Sequence, residues 1–150
     1  MATTQPAQIT RLMNLAKAPR IERVAGIRSG LRPDAVAQLA NKLGLTQARV
    51  FEMLALKRAT VKRKVASKAA LSPADSERVL GLFGLLANAE AFRPYTRDPE
   101  AFDAAAWLAG WLETANPALG GSRPGDLLDT VEGQGIVRQL IEQQWSGTYA

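Results

Sequence analysis

Neither cysteine nor histidine occurs anywhere in the 150 residues. Their absence removes disulfides, thiolate metal sites, and nucleophilic catalysis of the Ser/His/Asp or Cys/His kind together. No apolar run approaches the roughly 20 residues that a membrane-spanning helix requires. The start of the chain shows no basic stretch followed by an apolar one, so no secretory leader is expected. Together these lacks predict a cytoplasmic protein that is not an enzyme, with no cofactor, metal, membrane or small-molecule substrate. Acid is scarce too, but only in one half. Residues 1–71 hold 14 Lys or Arg against 3 Asp or Glu, a net +11, whereas residues 72–150 hold 5 against 11, a net −6. The halves are built to face different partners: a polyanion such as DNA for the first, a protein for the second.

What is present is helical. From Pro33 the residues Val36, Leu39, Ala40 and Leu43 recur at i, i+3, i+4 and i+7, with Pro33 and Asp34 suited to a first turn and Gly44 to an end. Thr46 can cap a second helix that buries Val50, Met53 and Leu54, and Ala55-Leu56 makes a turn. Ser72, Pro73 and Asp75 form a further start, with Val79, Leu82, Phe83 and Leu86 as its stripe. Asp98-Pro99 is expected to open a helix carrying Ala104, Trp107, Leu108 and Trp111. A last helix is expected from about Gly135, burying Ile136, Val137, Leu140, Ile141 and Trp145. Arg20 to Gly30 reads as a strand or a helical turn. Residues 1–19 are expected to be a partly ordered arm despite Ile9, Leu12, Met13 and Leu15. No stretch alternates as a strand should, so the fold is predicted to be all-α.

The loudest local signal is the stretch from Lys57 to Lys68, with six Lys or Arg and no acid. Val61 and Val65 are one turn apart and are expected to face inward; at about 100° per residue, Thr60, Arg63 and Ser67 then lie on the other side. In a helix-turn-helix the second helix enters the major groove. Lys57, Arg58, Lys62 and Lys64 are placed for phosphates, and Thr60, Arg63 and Ser67 for base edges. A solvated basic face is the bland alternative. Asp126, Asp129 and Glu132 share a helical spacing but lack a partner acid, base or ligand, so they are expected to be solvated. Trp107 and Leu108 are expected in the core. Trp145 precedes the polar tail Ser146-Gly147-Thr148-Tyr149-Ala150, where two aromatics in six residues suit a binding segment as well as a frayed end.

Leu71-Ser72-Pro73-Ala74-Asp75-Ser76-Glu77-Arg78 resembles the L-S-x-x-E-S-x-R entry to the post-reader helix of Xre-type antitoxins of the MbcA/ParS/Xre family. Ala106-Trp107-Leu108, the Asn116-Pro117-Ala118-Leu119-Gly120-Gly121 loop, Pro124, Leu127-Leu128, Thr130, Gly133, Val137 and Leu140 resemble, in order, that family's toxin-binding domain. The reader departs from the pattern at Ala55, where Gly is common, and at Lys57, where a capping residue is usual. The resemblance implies an N-terminal Xre/Cro-like helix-turn-helix followed by a small helical toxin-binding domain. It implies an antitoxin that binds a cognate RES-domain, NAD-degrading toxin and blocks its active site, and that also binds its own promoter DNA. Three segments are expected: an arm at residues 1–19, a DNA-binding unit at 20–71, and a toxin-binding and dimerisation unit at 72–150. Toxin contact is expected from Trp145, Ser146, Gly147, Thr148, Tyr149 and Ala150, with self-association as a homodimer to read a two-fold operator. The rival is a dimeric helix-turn-helix transcription factor without a toxin partner.

Overall fold

The computed structural model describes residues 4–147. Among them there are eight α-helices and no strand: α1 (Thr4–Lys17), α2 (Arg20–Ser29), α3 (Ala35–Leu43), α4 (Gln47–Met53), α5 (Arg58–Ser67), α6 (Pro73–Ala91), α7 (Ala104–Leu112) and α8 (Val131–Ser146). Short 3-10 turns at Arg93–Tyr95, Pro117–Leu119 and Pro124–Leu127 join the later helices.

The molecule is assembled around α6. Its start is fixed locally, by Ser72 Oγ accepting from the Asp75 amide at 3.1 Å and by Pro73 in the first turn. Beyond that turn it is buried nearly all round, through Val79, Leu80, Leu82, Phe83, Leu85 and Leu86. A helix apolar on every side belongs at the centre of a protein, not on its surface. Helices α1, α2, α3, α7 and α8 all pack against it, so both the basic and the acidic half use one core.

Within the segment expected to be a partly ordered arm, Thr4–Lys17 form helix α1. Over its described length α1 docks on α6, with Leu12 5% exposed and Ala16 also buried. A relay of side-chain amides fixes its register: Gln38 Nε2 donates to Gln8 Oε1 and Gln8 Nε2 donates to Asp34 Oδ1, each at 3.0 Å. Burying a leucine stabilises by about 1.5–3 kcal/mol, enough to hold a short helix that its own propensity would not. Asp34 is therefore engaged with Gln8 and Arg32 and makes no side-chain cap, and α3 begins only at Ala35. Residues 20–29 are helical, yet α2 buries no residue.

Other boundaries differ for identifiable reasons. The seventh helix opens at Asp103, whose Oδ1 accepts from the Ala106 amide at 3.0 Å; Asp98 caps only a turn, through the Ala101 amide. The last helix starts four residues before Gly135. Thr130 caps it through the Gly133 amide at 2.9 Å, and Gly133 is demanded by packing: a Cβ there would lie 1.9 Å from the Leu127 carbonyl oxygen. Gly133, ahead of the expected helix start, is thus a close-approach site inside the helix. With the helix starting at Val131, Asp126 falls in the preceding 3-10 turn and Asp129 before the cap, so the three spaced carboxylates do not share one helix.

Candidate functional site

The basic helix α5 is held by little. Val61 is its only buried residue, and Val65, expected to pack inward, is 48% exposed at the edge of a cleft of ≈ 270 Å³ between α3, α4 and α5. Lys57, Arg58, Lys62, Arg63 and Ser67 are exposed, and Thr60 and Lys64 half-buried. Among the described residues none of these cations makes an ion pair, so α5 presents unneutralised charge along one exposed helix. Lys57 occupies the N-cap position with extended backbone and no side-chain cap bond, as its side chain dictates.

The turn before α5 is strained and clamped. Ala55 has φ 51°, a left-handed conformation that costs a residue with a Cβ about 1–2 kcal/mol. Arg78, on α6, reaches back to it: Nε donates to the Leu54 carbonyl at 2.7 Å, and the guanidinium pairs with Asp75 at 2.6 Å. Ser76, fully buried, accepts from the Leu31 amide at 2.9 Å. The residues of the Leu71-to-Arg78 motif are therefore structural. They start the central helix and lock the helix-turn-helix onto it.

A second locking point joins α4 to the acidic half, and local sequence patterns gave no sign of it. Arg49 lies 2.9 Å from Glu113 at the end of α7, 3.0 Å from Asp126 and 3.2 Å from Glu52; Arg123 completes the cluster. The hydrogen bond to Glu113 is the chief reason that the Arg49 guanidinium holds its proton more tightly than usual. The hydrogen bond from Arg49, ahead of Arg123, lowers the Asp126 carboxyl below its ordinary range.

At the far end of the acidic half the aromatic residues collect. Trp145 stacks on Phe92 at 5.5 Å between centroids, meets Phe102 edge-on at 5.8 Å, and leans on Trp107 at 5.2 Å; Trp107 in turn stacks on Trp111 at 5.9 Å. Trp111 Nε1 donates to Gln144 at 3.2 Å. Arg93 braces the cluster from behind, donating to the Pro99 and Phe102 carbonyls at 2.7 and 2.6 Å. Leu108 is fully buried, while Trp107 and Trp111 keep a half-exposed edge. Trp145 is thus built into this cluster, its indole nitrogen buried without a partner among the described residues. Ser146 ends α8, exposed, and Gly147 closes it in the left-handed conformation at φ 75°. Thr148, Tyr149 and Ala150 lie outside the described residues. Val137 and Ile141 are fully buried and Leu140 partly so, but Ile136 is 43% exposed on the outer face of α8.

The loop from Asn116 to Ser122 is closed on itself. Asn116 Oδ1 accepts from the Ala118 amide at 2.9 Å, and its backbone carbonyl accepts from Leu119 and Gly121 at 3.0 Å each. Gly120 and Gly121 supply the positive φ angles, 64° and 90°, that this path needs. Gly125 lies where a Cβ would be 2.9 Å from the Leu112 carbonyl oxygen. Among the described residues no group of three or more Asp or Glu is placed to hold a metal ion, and no helix is long and apolar enough to cross a membrane.

Two family models match the chain. One, described as the antitoxin Xre-like helix-turn-helix domain, covers residues 22–84. The other, described as the antitoxin Xre/MbcA/ParS C-terminal toxin-binding domain, covers residues 100–147. A curated protein of Sphingobium sp. (strain YBL2), described as "Prs ADP-ribosylating antitoxin", is 40% identical over 136 residues, or 91% of this chain and 86% of its own length.

Proposed function

Because the chain belongs to the Xre/MbcA/ParS antitoxin family, we propose that it neutralises a RES-domain toxin by filling the pocket in which that toxin consumes NAD. The carrying observation is the toxin-binding match over residues 100–147, which ends where the chain leaves α8. Blocking a pocket takes a rigid base and a segment that reaches in. The interlocked Phe92, Phe102, Trp107 and Trp145 supply a base, because stacked rings have few rotamers to lose on binding. Ser146 and Gly147 follow Trp145 directly, and the segment from Ser146 to Ala150 is the part that would reach in. The hydroxyls of Ser146 and Thr148 can accept from the cationic groups that would otherwise hold NAD phosphates. The relative's description names ADP-ribosylation, a transfer that takes ADP-ribose from NAD and releases nicotinamide. It supports an NAD-consuming partner for this chain and adds ADP-ribosyl transfer as an alternative to degradation of NAD.

In the same proposal residues 20–71 read the operon's own promoter through α5, and residues 72–150 hold the toxin and the second copy. Lys57, Arg58, Lys62 and Lys64 would meet phosphates, with Thr60, Arg63 and Ser67 towards the bases. The protein acts as an inhibitor and repressor and carries out no reaction itself. The deciding experiment is co-expression with the neighbouring toxin. Deleting Ser146 to Ala150 restores toxicity if the tail is the plug, and undiminished protection assigns inhibition to the helical surface instead. Failure of the intact chain to co-purify with that toxin refutes the pairing.

A further inference from the structure

A groove of ≈ 450 Å³ runs between α2, α6 and α8, and its charge is lopsided: Arg20, Arg23 and Arg138 line it against one acid, Glu77. We propose that this groove is a binding site for a small organic phosphate, whose phosphate the arginines hold while aliphatic side chains cover the rest. Arg20 and Arg23 stand one turn apart on α2 and so share a face, and Arg138 comes from α8. Among the described residues none of the three makes an ion pair. The Nε of Arg23 is buried with no acceptor. A buried cationic N–H left unpaired is costly, and an anionic oxygen seated beside it removes that cost. Arg138 is set unusually as well. A Cβ on Gly84 would lie 2.8 Å from one of its guanidinium nitrogens, so the bare backbone of α6 lets that head lie against the groove floor. Long cations on a surface ordinarily keep their heads out in water.

The lining selects the ligand. Guanidinium forks match phosphate oxygens in geometry as well as in charge. A phosphate monoester carries about two negative charges at neutral pH, which answers the excess that remains once Glu77 offsets one arginine. Val24, Leu80 and Val131 stand beside the cations and suit an apolar or planar body. The volume falls within the range of about 300–1,000 Å³ usual for small-molecule sites, which leaves room beyond the phosphate itself. A nucleic-acid strand fits less well, because it asks for a continuous basic track, and the basic helix α5 does not line this groove. Trp145 does not line it either. The site therefore stands or fails without reference to toxin or DNA.

Titration calorimetry on the full chain, at fixed ionic strength, tests it with adenosine monophosphate, inorganic phosphate and adenosine. The nucleotide should bind with a Kd below about 1 mM, inorganic phosphate more weakly, and adenosine not at all over the same concentrations. Arg23→Gln and Arg138→Gln should each weaken the nucleotide by about tenfold or more, as expected for losing a hydrogen bond from a charged group. Gly84→Ala should weaken it too, by displacing the Arg138 guanidinium without removing a charge. It replaces either arginine variant if far-UV circular dichroism shows that variant to be unfolded. Lys62→Ala, on α5, should leave binding unchanged. Absence of nucleotide binding, or groove variants that bind as the wild type does, overturns the proposal. So does adenosine or inorganic phosphate binding as tightly as the nucleotide, since the groove would then read only one part of the ligand. Binding that Lys62→Ala removes places the phosphate on the basic helix and overturns it as well.

Discussion

Replacing Arg49 with alanine is expected to destabilise the protein by about 2 kcal/mol, a figure set by where its partners sit. The Arg49 side chain is 14% exposed, against 29% for Glu113 and 42% for Asp126. Removing one partner of a buried ion pair costs about 3–5 kcal/mol, and an exposed pair is worth about 0–1 kcal/mol. The cluster lies between these limits. Arg123 stays within 3.5 Å of Glu113 and 3.4 Å of Asp126, so the two carboxylates are not left wholly alone and the lower half of the range applies. For a chain of this size about 2 kcal/mol lowers Tm by roughly 4–8 °C, measured by thermal circular dichroism at neutral pH. Arg49→Lys keeps the charge but loses the forked geometry, so it should recover only part of the loss.

The pH dependence gives a second reading of the same cluster. Asp126 has a lowered pKa in the folded state. Its contribution is therefore fully present above the ordinary aspartate value of about 3.9. It is lost as pH falls through the lower folded value. The Tm gap between wild type and Arg49→Ala should narrow below that ordinary value. A variant that melts within about 1 °C of wild type at neutral pH would refute the assignment of Arg49 as a tie between the halves.

Three further outcomes are expected. Gly133→Ala should cost upwards of about 3 kcal/mol in urea unfolding, because the neighbour of the added carbon is the Leu127 carbonyl oxygen, a backbone atom that cannot swing aside. Trp145→Ala should lose about 3 kcal/mol, the low end for a large aromatic since the ring is partly exposed, and should also collapse the near-UV circular dichroism of the cluster. In promoter binding measured against salt, Lys62→Ala should reduce the slope of log K by about 0.9 for each phosphate that the lysine neutralised, and an unchanged slope removes Lys62 from the DNA-binding surface.

The parts of the fold that were legible are those where the chemistry is local. Thr46 and Ser72 cap their helices through amides three residues away, and such spacing is visible in the chain itself. Val36, Leu39, Ala40 and Leu43 show their buried face for the same reason. What escaped was set by distant partners. Leu12 gives no hint that α6, some 60 residues on, will cover it, and Arg49 lies 64 and 77 positions from the carboxylates it bonds. Gly133 and Gly135 look alike as letters, but only Gly133 has a carbonyl pressed against it. Val65 and Ile136 fit an apolar stripe and still face outward, because helical spacing says which residues share a side and not whether that side is covered. For the candidate site, the exposed cations of α5 were readable from composition. The embedding of Trp145 among three other rings was not, since those rings come from residues 92, 102 and 107.

The shared central helix also sets when this protein can come into being during synthesis. Helices α1 and α3 close their apolar faces on a core shared with α6, so a growing chain cannot finish its basic half until residue 91 has cleared the ribosome. The residues that α7 and α8 contribute to that core emerge later still. A nascent or prematurely ended chain therefore exposes the leucines of α6 to proteases and chaperones.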